Sequence, residues 1–192
     1  MDQNNPSVFY FAPDGGGFYK STDNGSTFTE ISGNYAFRSP CDILVMWDSS
    51  NVVFVGDGVT GSGQAIIFKS TNGGVNWTNI RTVTSSETPS MCNSVFDQSL
   101  IYATEWSGSN IYLSTDYGSS FSISHSTGFS GWASGICSED PTLIMTGNYG
   151  ANSAFSLNKG NTWTNLGGLG GSGAGMLVPD RGMLLSMQTS NL

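Results

Sequence analysis

Positive charge is what this sequence has least of. Six Lys and Arg stand against fourteen Asp and Glu, a net charge of −8 over 192 residues of which only 10% are charged. Recognition of nucleic acid rests on cationic neutralisation of phosphates, so such a chain is not expected to bind nucleic acid, nor to adhere to an anionic membrane. No apolar run approaches the roughly 18 residues that cross a bilayer, so no membrane span is expected. There is one histidine, His125, and three cysteines with no paired metal-ligand spacing. A zinc-type site is not expected on that ground, nor is any other metal or a cofactor. His125 has no Ser or Cys nucleophile motif around it and reads as a solvated residue at the end of a strand. A secretory leader is also missing: Met1 runs straight into Asp2-Gln3-Asn4-Asn5-Pro6.

Ala, Leu, Glu and Lys, the residues long helices favour, are scarce. Short runs of Val, Ile, Phe, Tyr and Thr lie instead between Gly, Asn, Asp and Ser, with 26 glycines in all. That is the pattern of strands and turns, and the chain reads as all-β.

One octet occurs four times: Ser21 to Phe28, Ser70 to Trp77, Ser114 to Phe121 and Ser156 to Trp163, with starts 49, 44 and 42 residues apart. A period in the forties suits a propeller blade of four short strands. The third position (Asp23, Asn72, Asp116, Asn158) offers a side-chain oxygen to backbone N–H groups inside a tight turn. The fifth (Gly25, Gly74, Gly118, Gly160) is glycine, as a left-handed backbone requires. The eighth (Phe28, Trp77, Phe121, Trp163) is a ring expected to be buried against the sheet. Asn at two of the four third positions keeps the acceptor and drops the charge. A catalytic carboxylate does not tolerate that exchange, so the octets are read as structural.

A second column precedes each octet. Phe9-Tyr10-Phe11-Ala12-Pro13-Asp14 aligns without gaps with Val52-Val53-Phe54-Val55-Gly56-Asp57, and with runs ending in Glu105, Asn148 and Gln188. Its apolar residues do not alternate, so both faces of this strand are expected to be covered. With strands lettered A to D from the channel outward, this column is strand B, and each octet closes the C–D hairpin. Strand A precedes the turns at Asp48, Asp97, Asp140 and Asp180. The chain then reads BCD, three complete ABCD blades, and AB: a β-propeller of four-stranded antiparallel blades, most simply an incomplete ring. Residues 1–192 form one propeller segment, divided as partial blade 1–33, blades 34–84, 85–128 and 129–167, and partial blade 168–192. Met1 falls where a repeat is already under way and reads as an internal residue, with any export signal upstream. Open sheet edges are an aggregation liability. Further blades from the same chain or a neighbouring subunit are therefore expected as partners.

The octet resembles the Asp-box, or bacterial neuraminidase repeat, of sialidases, sortilin-type receptors, xyloglucanase-like glycosidases and photosystem assembly propellers. The resemblance covers nearly the whole chain and implies the propeller fold; enzymes and binding proteins share it. In the enzymes it resembles, the boxes mark the non-catalytic side of the disc. The B–C and D–A loops face the other way, and Asp14, Asp57, Glu105, Trp106, Asn148 and Tyr149 lie there as candidate binding residues, with Tyr35 and Trp132 in the same loops. Two carboxylates flanking a sugar bond are the minimum for glycoside hydrolysis. The stretch Ala12 to Tyr19 is similar to a turn that carries a catalytic Asp in xyloglucanase-like enzymes, and Gly56-Asp57-Gly58 to another, which makes Asp14 and Asp57 the candidate acids. Asp-Gly is also simply a good turn former. A sialidase activity implies an arginine cluster, and only Arg38, Arg81 and Arg181 are present.

Cys41, Cys92 and Cys137 fall on successive A strands at matching parity, so all three are expected on one face. They are either small buried hydrophobes or thiols facing the channel or an interface. The function expected is a non-catalytic module of an exported or cell-surface protein, presenting a rigid face to a protein or polysaccharide. The alternatives are a fragment of a xyloglucanase-like glycoside hydrolase and a structural subunit of an extracellular assembly.

Overall fold

The structure is a computed structural model that describes residues 1–13, 16–58, 64–83, 90–106, 108, 110–126, 131–136, 140–148, 153–166, 172–177 and 184–189. The strands at 131–136, 172–177 and 184–189 are described by their backbone. Among the described residues there is no helix.

Among the described residues seventeen strands form five antiparallel sheets, each strand pairing within its sheet with its neighbour in sequence. The first sheet holds β1 (Phe9–Phe11), β2 (Tyr19–Ser21) and β3 (Thr29–Glu30). The second holds β4 (Pro40–Met46), β5 (Ser49–Asp57), β6 (Ile66–Ser70) and β7 (Thr78–Thr82). The third holds β8 (Met91–Asn93), β9 (Ile101–Thr104), β10 (Asn110–Ser114) and β11 (Ser122–Ser126). The fourth holds β12 (Gly131–Ile136), β13 (Ile144–Asn148), β14 (Ala154–Ser156) and β15 (Thr164–Asn165), and the fifth β16 (Ser172–Leu177) and β17 (Leu184–Thr189). That is BCD, three times ABCD, and AB. The chain divides into two compact units, Met1–Thr88 with the first two sheets and Pro89–Leu192 with the other three.

Register fixes which residues are equivalent. The serine that opens each octet pairs with Phe9, Val53, Ile101 and Ile144 in turn. Strand B of the first sheet is therefore one residue out of step with the gapless alignment. The residue in register with Asp57, Glu105 and Asn148 is Pro13, not Asp14. An apolar run without alternation carries no mark of which side chain faces which way, so sequence comparison could slip by one there.

The same positions build the core of each unit. In the first, Phe18 of the β1–β2 connection packs edge-on against Trp77, with ring centroids 5.3 Å apart, and tilts against Phe37 at 5.6 Å. Val45, Val53, Val55 and Phe68 complete this cluster between the first and second sheets. In the second unit, Tyr102 and Ile111 of the third sheet meet Ile144 and Trp163 of the fourth. By register Tyr102 corresponds to Tyr10, Ile111 to Phe18, Ile144 to Val53 and Trp163 to Trp77. One face of a sheet thus packs on the opposite face of the next, a head-to-tail arrangement. Burial pushes the Tyr10 hydroxyl up to about 12, with the Asp2 carboxylate adding to it, and pushes Tyr102 up as well.

Coverage of strand B on both faces holds for the second and third sheets: Val53, Phe54, Val55, Ile101, Tyr102 and Ala103 are all fully buried. It fails in the first, where Phe11 is 53% exposed. Cys41 sits at a bulge between Pro40 and Asp42, so counting residues from Asp48 does not by itself fix its face. Cys41 and Cys92 are half-buried, and Cys137 lies outside the described residues.

Candidate functional site

The four octets are built alike, from the first residue onward. Ser21, Ser70, Ser114 and Ser156 are each 1% exposed. Each hydroxyl donates to the third-position oxygen, at 2.7, 3.0, 2.8 and 3.0 Å, and accepts the fifth-position glycine N–H, at 2.9, 2.9, 2.8 and 2.8 Å. The third-position oxygen also accepts the N–H of the seventh residue, identically for Asp23 and Asn72 at 2.9 Å. The fourth-position N–H reaches back to a carbonyl just before strand B or in its first residues: Asn24 to Ser7, Gly73 to Asn51, Tyr117 to Ser99 and Lys159 to Thr142. This locks the C–D turn beside the A–B side of its own sheet.

Fourth and fifth positions both have positive φ, including Asn24 (59°), Tyr117 (57°) and Lys159 (58°). The serine and the fourth-position backbone were the parts that sequence reasoning overlooked, although a serine opening all four octets was there to be seen. Hydrogen bonds, the Thr27 hydroxyl first, lower Asp23 to about 2. The Ser120 hydroxyl leads the same effect on Asp116, also to about 2.

The eighth-position rings differ. Trp77 (4% exposed) and Phe121 (5%) are buried as expected, whereas Phe28 is 45% exposed. Trp77 docks on the link that precedes its own sheet. Its indole N–H donates to the Ile31 carbonyl at 3.1 Å, and its backbone N–H donates to the Asn34 side chain at 2.9 Å. Trp163 lies parallel to His125 of β11, ring centroids 5.3 Å apart. His125 is therefore a stacked residue within strand D rather than a solvated one at its end, and burial lowers its pKa.

On the opposite side of the sheets, the acids that end strand B turn inward. Asp57 is fully buried and accepts backbone N–H bonds from Arg38 and Ser39, at 3.1 and 2.8 Å, tying β5 to the lead-in of β4. Glu105 is fully buried and accepts from Asn110 and from the Tyr112 hydroxyl. Trp106 is half-buried beside it, and Asn148 ends β13. Asp14 and Tyr149 lie outside the described residues.

Between the B–C connection and the D–A link of the first sheet lies an open cleft of about 660 Å³. Tyr19 and Tyr35 line it with Gly16, Gly17, Glu30 and Asn34. Gly17 holds φ +84°, and a Cβ there would stand 2.8 Å from the Tyr19 ring, so the ring lies flush against bare backbone. Ser32 accepts the Phe18 N–H and donates to Glu30 at 3.0 Å, fixing the carboxylate at the rim. Tyr35 is held against Phe68, ring centroids 4.1 Å apart. The arrangement is two half-buried aromatic rings, one solvated carboxylate and exposed backbone. It suits contact with a neutral, hydroxyl-bearing or peptide surface. Among the described lining residues Glu30 is the one carboxylate, and no group of three metal-ligating side chains occurs among the described residues.

No family model matches the chain, and no curated protein does. Solved structures do. The chain is similar to an ancestral GH74 enzyme, with 21% identity and a TM-score of 0.74 over 88% of this chain and 23% of that one. It is similar to the GH74 xyloglucanase from Xanthomonas campestris, with 11% identity and a TM-score of 0.73 over 91% of this chain and 31% of the enzyme. A chain of a nidogen/laminin complex matches with 15% identity and a TM-score of 0.67 over 90% of this chain and 65% of that one. This chain thus spans about a quarter to a third of the two enzymes, and the likeness is one of fold. The chain is an all-β propeller segment of four-stranded antiparallel blades.

Proposed function

We propose that this chain is part of an Asp-box propeller that serves as a non-catalytic recognition module of an exported or cell-surface protein. We infer that its ligand, a neutral polysaccharide or a polar protein segment, docks in the cleft of Tyr19, Glu30, Asn34 and Tyr35. The observation that carries this reading is the cleft itself, which opens between the B–C connection and the D–A link of the first sheet, at the end away from that sheet's octet. Rigid sheets with recognition carried on loops suit binding. The nidogen/laminin and peptide-bound propellers that share the fold are seen with protein partners.

The buried acids speak against chemistry on this face. A carboxylate that already accepts two or more protein hydrogen bonds and touches no solvent has no free geometry for a sugar oxygen, and Asp57 is in that state. A glycoside hydrolase fragment is the second reading, favoured by the shared fold with GH74 enzymes. It fails if Asp14→Asn and Asp57→Asn leave hydrolysis of xyloglucan by the protein unchanged.

The recognition reading is tested by calorimetry with soluble xyloglucan and mixed-linkage β-glucan, alongside a displayed peptide library. Tyr19→Ala and Tyr35→Ala should each weaken the binding found by about tenfold, the cost of losing one aromatic anchor. Equal binding by wild type and both variants would remove the cleft from the account.

A further inference from the structure

Which polar groups of the cleft are already engaged narrows what it can hold. The Asn34 amide is held by Trp77 on both its atoms: Nδ2 donates to the Trp77 carbonyl at 3.3 Å, and Oδ1 accepts the Trp77 N–H at 2.9 Å. Ser32 accepts the Phe18 N–H at 3.1 Å and donates its own proton to Glu30. A sugar is oriented by neutral donors and acceptors placed around it. Apart from the tyrosine hydroxyls, the neutral polar side chains lining this cleft are committed to the fold. What a ligand meets is two tyrosines, one carboxylate and glycine backbone.

Those groups are arranged as a cation would need them. Tyr19 and Glu30 are direct partners across β2 and β3, which sets the carboxylate beside the ring on one face of the sheet. Glu30 Oε1 takes the Ser32 hydroxyl at 3.0 Å, and Oε2 has no protein partner among the described residues. Tyr35 is backed by Phe68 and Phe37, ring centroids 4.1 and 5.8 Å away. No Lys or Arg lines the cleft among the described residues. The nearby Arg38 is drawn off to the second sheet, donating to the Gln64 carbonyl at 2.8 Å and standing 3.9 Å from Asp57. Aromatic faces attract cations, a carboxylate adds its charge, and the whole chain carries −8. A sheet packed on the first would leave Glu30 open. Asn79, its counterpart by register, stays exposed although Tyr35 covers Phe68 beside it.

We propose that the cleft takes an arginine side chain of a protein partner, its guanidinium paired with Glu30 and its plane laid against the tyrosine rings. Arginine fits because one flat group can meet a carboxylate and an aromatic face together. The inference rests on the cleft being the recognition site, and of the two ligand classes it selects the protein segment over the polysaccharide.

The probe is a pentapeptide, Gly-Gly-Arg-Gly-Gly, acetylated and amidated at its ends so that arginine is its one charge. Its glutamine analogue and cellobiose are the neutral controls. In amide nuclear magnetic resonance spectra, the arginine peptide should move the Gly17, Glu30 and Gly33 signals saturably, at about millimolar concentration. The controls should not, and added salt should weaken the effect by screening. Glu30→Gln, an exposed and nearly isosteric change, should weaken binding by about tenfold. Tyr35→Leu, which keeps apolar bulk and removes the π face, should weaken it several-fold, and the spectrum itself reports that each variant is folded. Failure of the arginine peptide to move these signals overturns the inference, as does equal binding by folded Glu30→Gln. Cellobiose moving them in its place would leave the cleft as a recognition site while removing arginine from it. If nothing moves them, calorimetry with Tyr35→Ala decides the cleft itself.

Discussion

At the scale of the residue, the octet is a serine device as much as an aspartate one. A buried hydroxyl that both donates and accepts holds the turn closed from inside, and removing it strands two partners. Ser70→Ala is expected to cost about 1–3 kcal/mol in chemical unfolding, the penalty of a lost buried hydrogen-bond centre. The third position behaves differently. Asn72 makes the same backbone bonds as Asp23, so Asp23→Asn should keep the turn and the fold near neutrality. Asp23 and Asp116 are held at about 2, below their ordinary value. A depressed carboxylate contributes stability that is full above its unfolded pKa and lost as pH falls through the folded one. Wild type should therefore lose stability between about pH 4 and pH 2 more steeply than Asp23→Asn/Asp116→Asn, a difference measurable by melting temperature against pH. The octets were legible in the sequence because their chemistry is local: an acceptor, a glycine and a ring at fixed spacing. The left-handed fourth position was not, because Tyr117 and Lys159 are residues that nothing in composition marks for positive φ.

At the scale of the element, the strands were legible and their register was not. Short apolar runs between turn residues gave the seventeen strands and their order. The one-residue slip in β1 had a cost: it placed Asp14 in a column that Pro13 occupies, and so joined an acid to Asp57 that does not share its position. A bulge such as the one at Cys41 is likewise not visible in a parity count. The candidate site was legible only as a set of loops. Sequence singled out acids at the end of strand B, but burial decides whether a carboxylate meets solvent, and Asp57 and Glu105 are spent on hydrogen bonds. Tyr19, Glu30 and Asn34 converge through the fold of the D–A link, which no motif announces. The rings of the octets offer a contrast to measure. Trp77→Ala opens the core between two sheets and should cost about 3–5 kcal/mol. Phe28→Ala should cost on the order of 1 kcal/mol, its ring being half in water already.

At the scale of the whole molecule, stability is a sum over like neighbours. Each sheet is too small to bury its faces alone, and packing one on the next supplies the core. In the proposed reading, recognition is carried by the loops of the first sheet away from its octet, while the packed faces between neighbouring sheets form the core. That the chain is a propeller segment follows from the repeated turns.

Hydrogen exchange at the four glycine amides of the octets reaches that foundation most directly, because Gly25, Gly74, Gly118 and Gly160 each donate to a buried serine hydroxyl. In native buffer all four should exchange at least about a hundredfold more slowly than an open turn amide, as protected members of a folded unit. Exchange at the free rate at any one of them would mean that its octet does not close a blade.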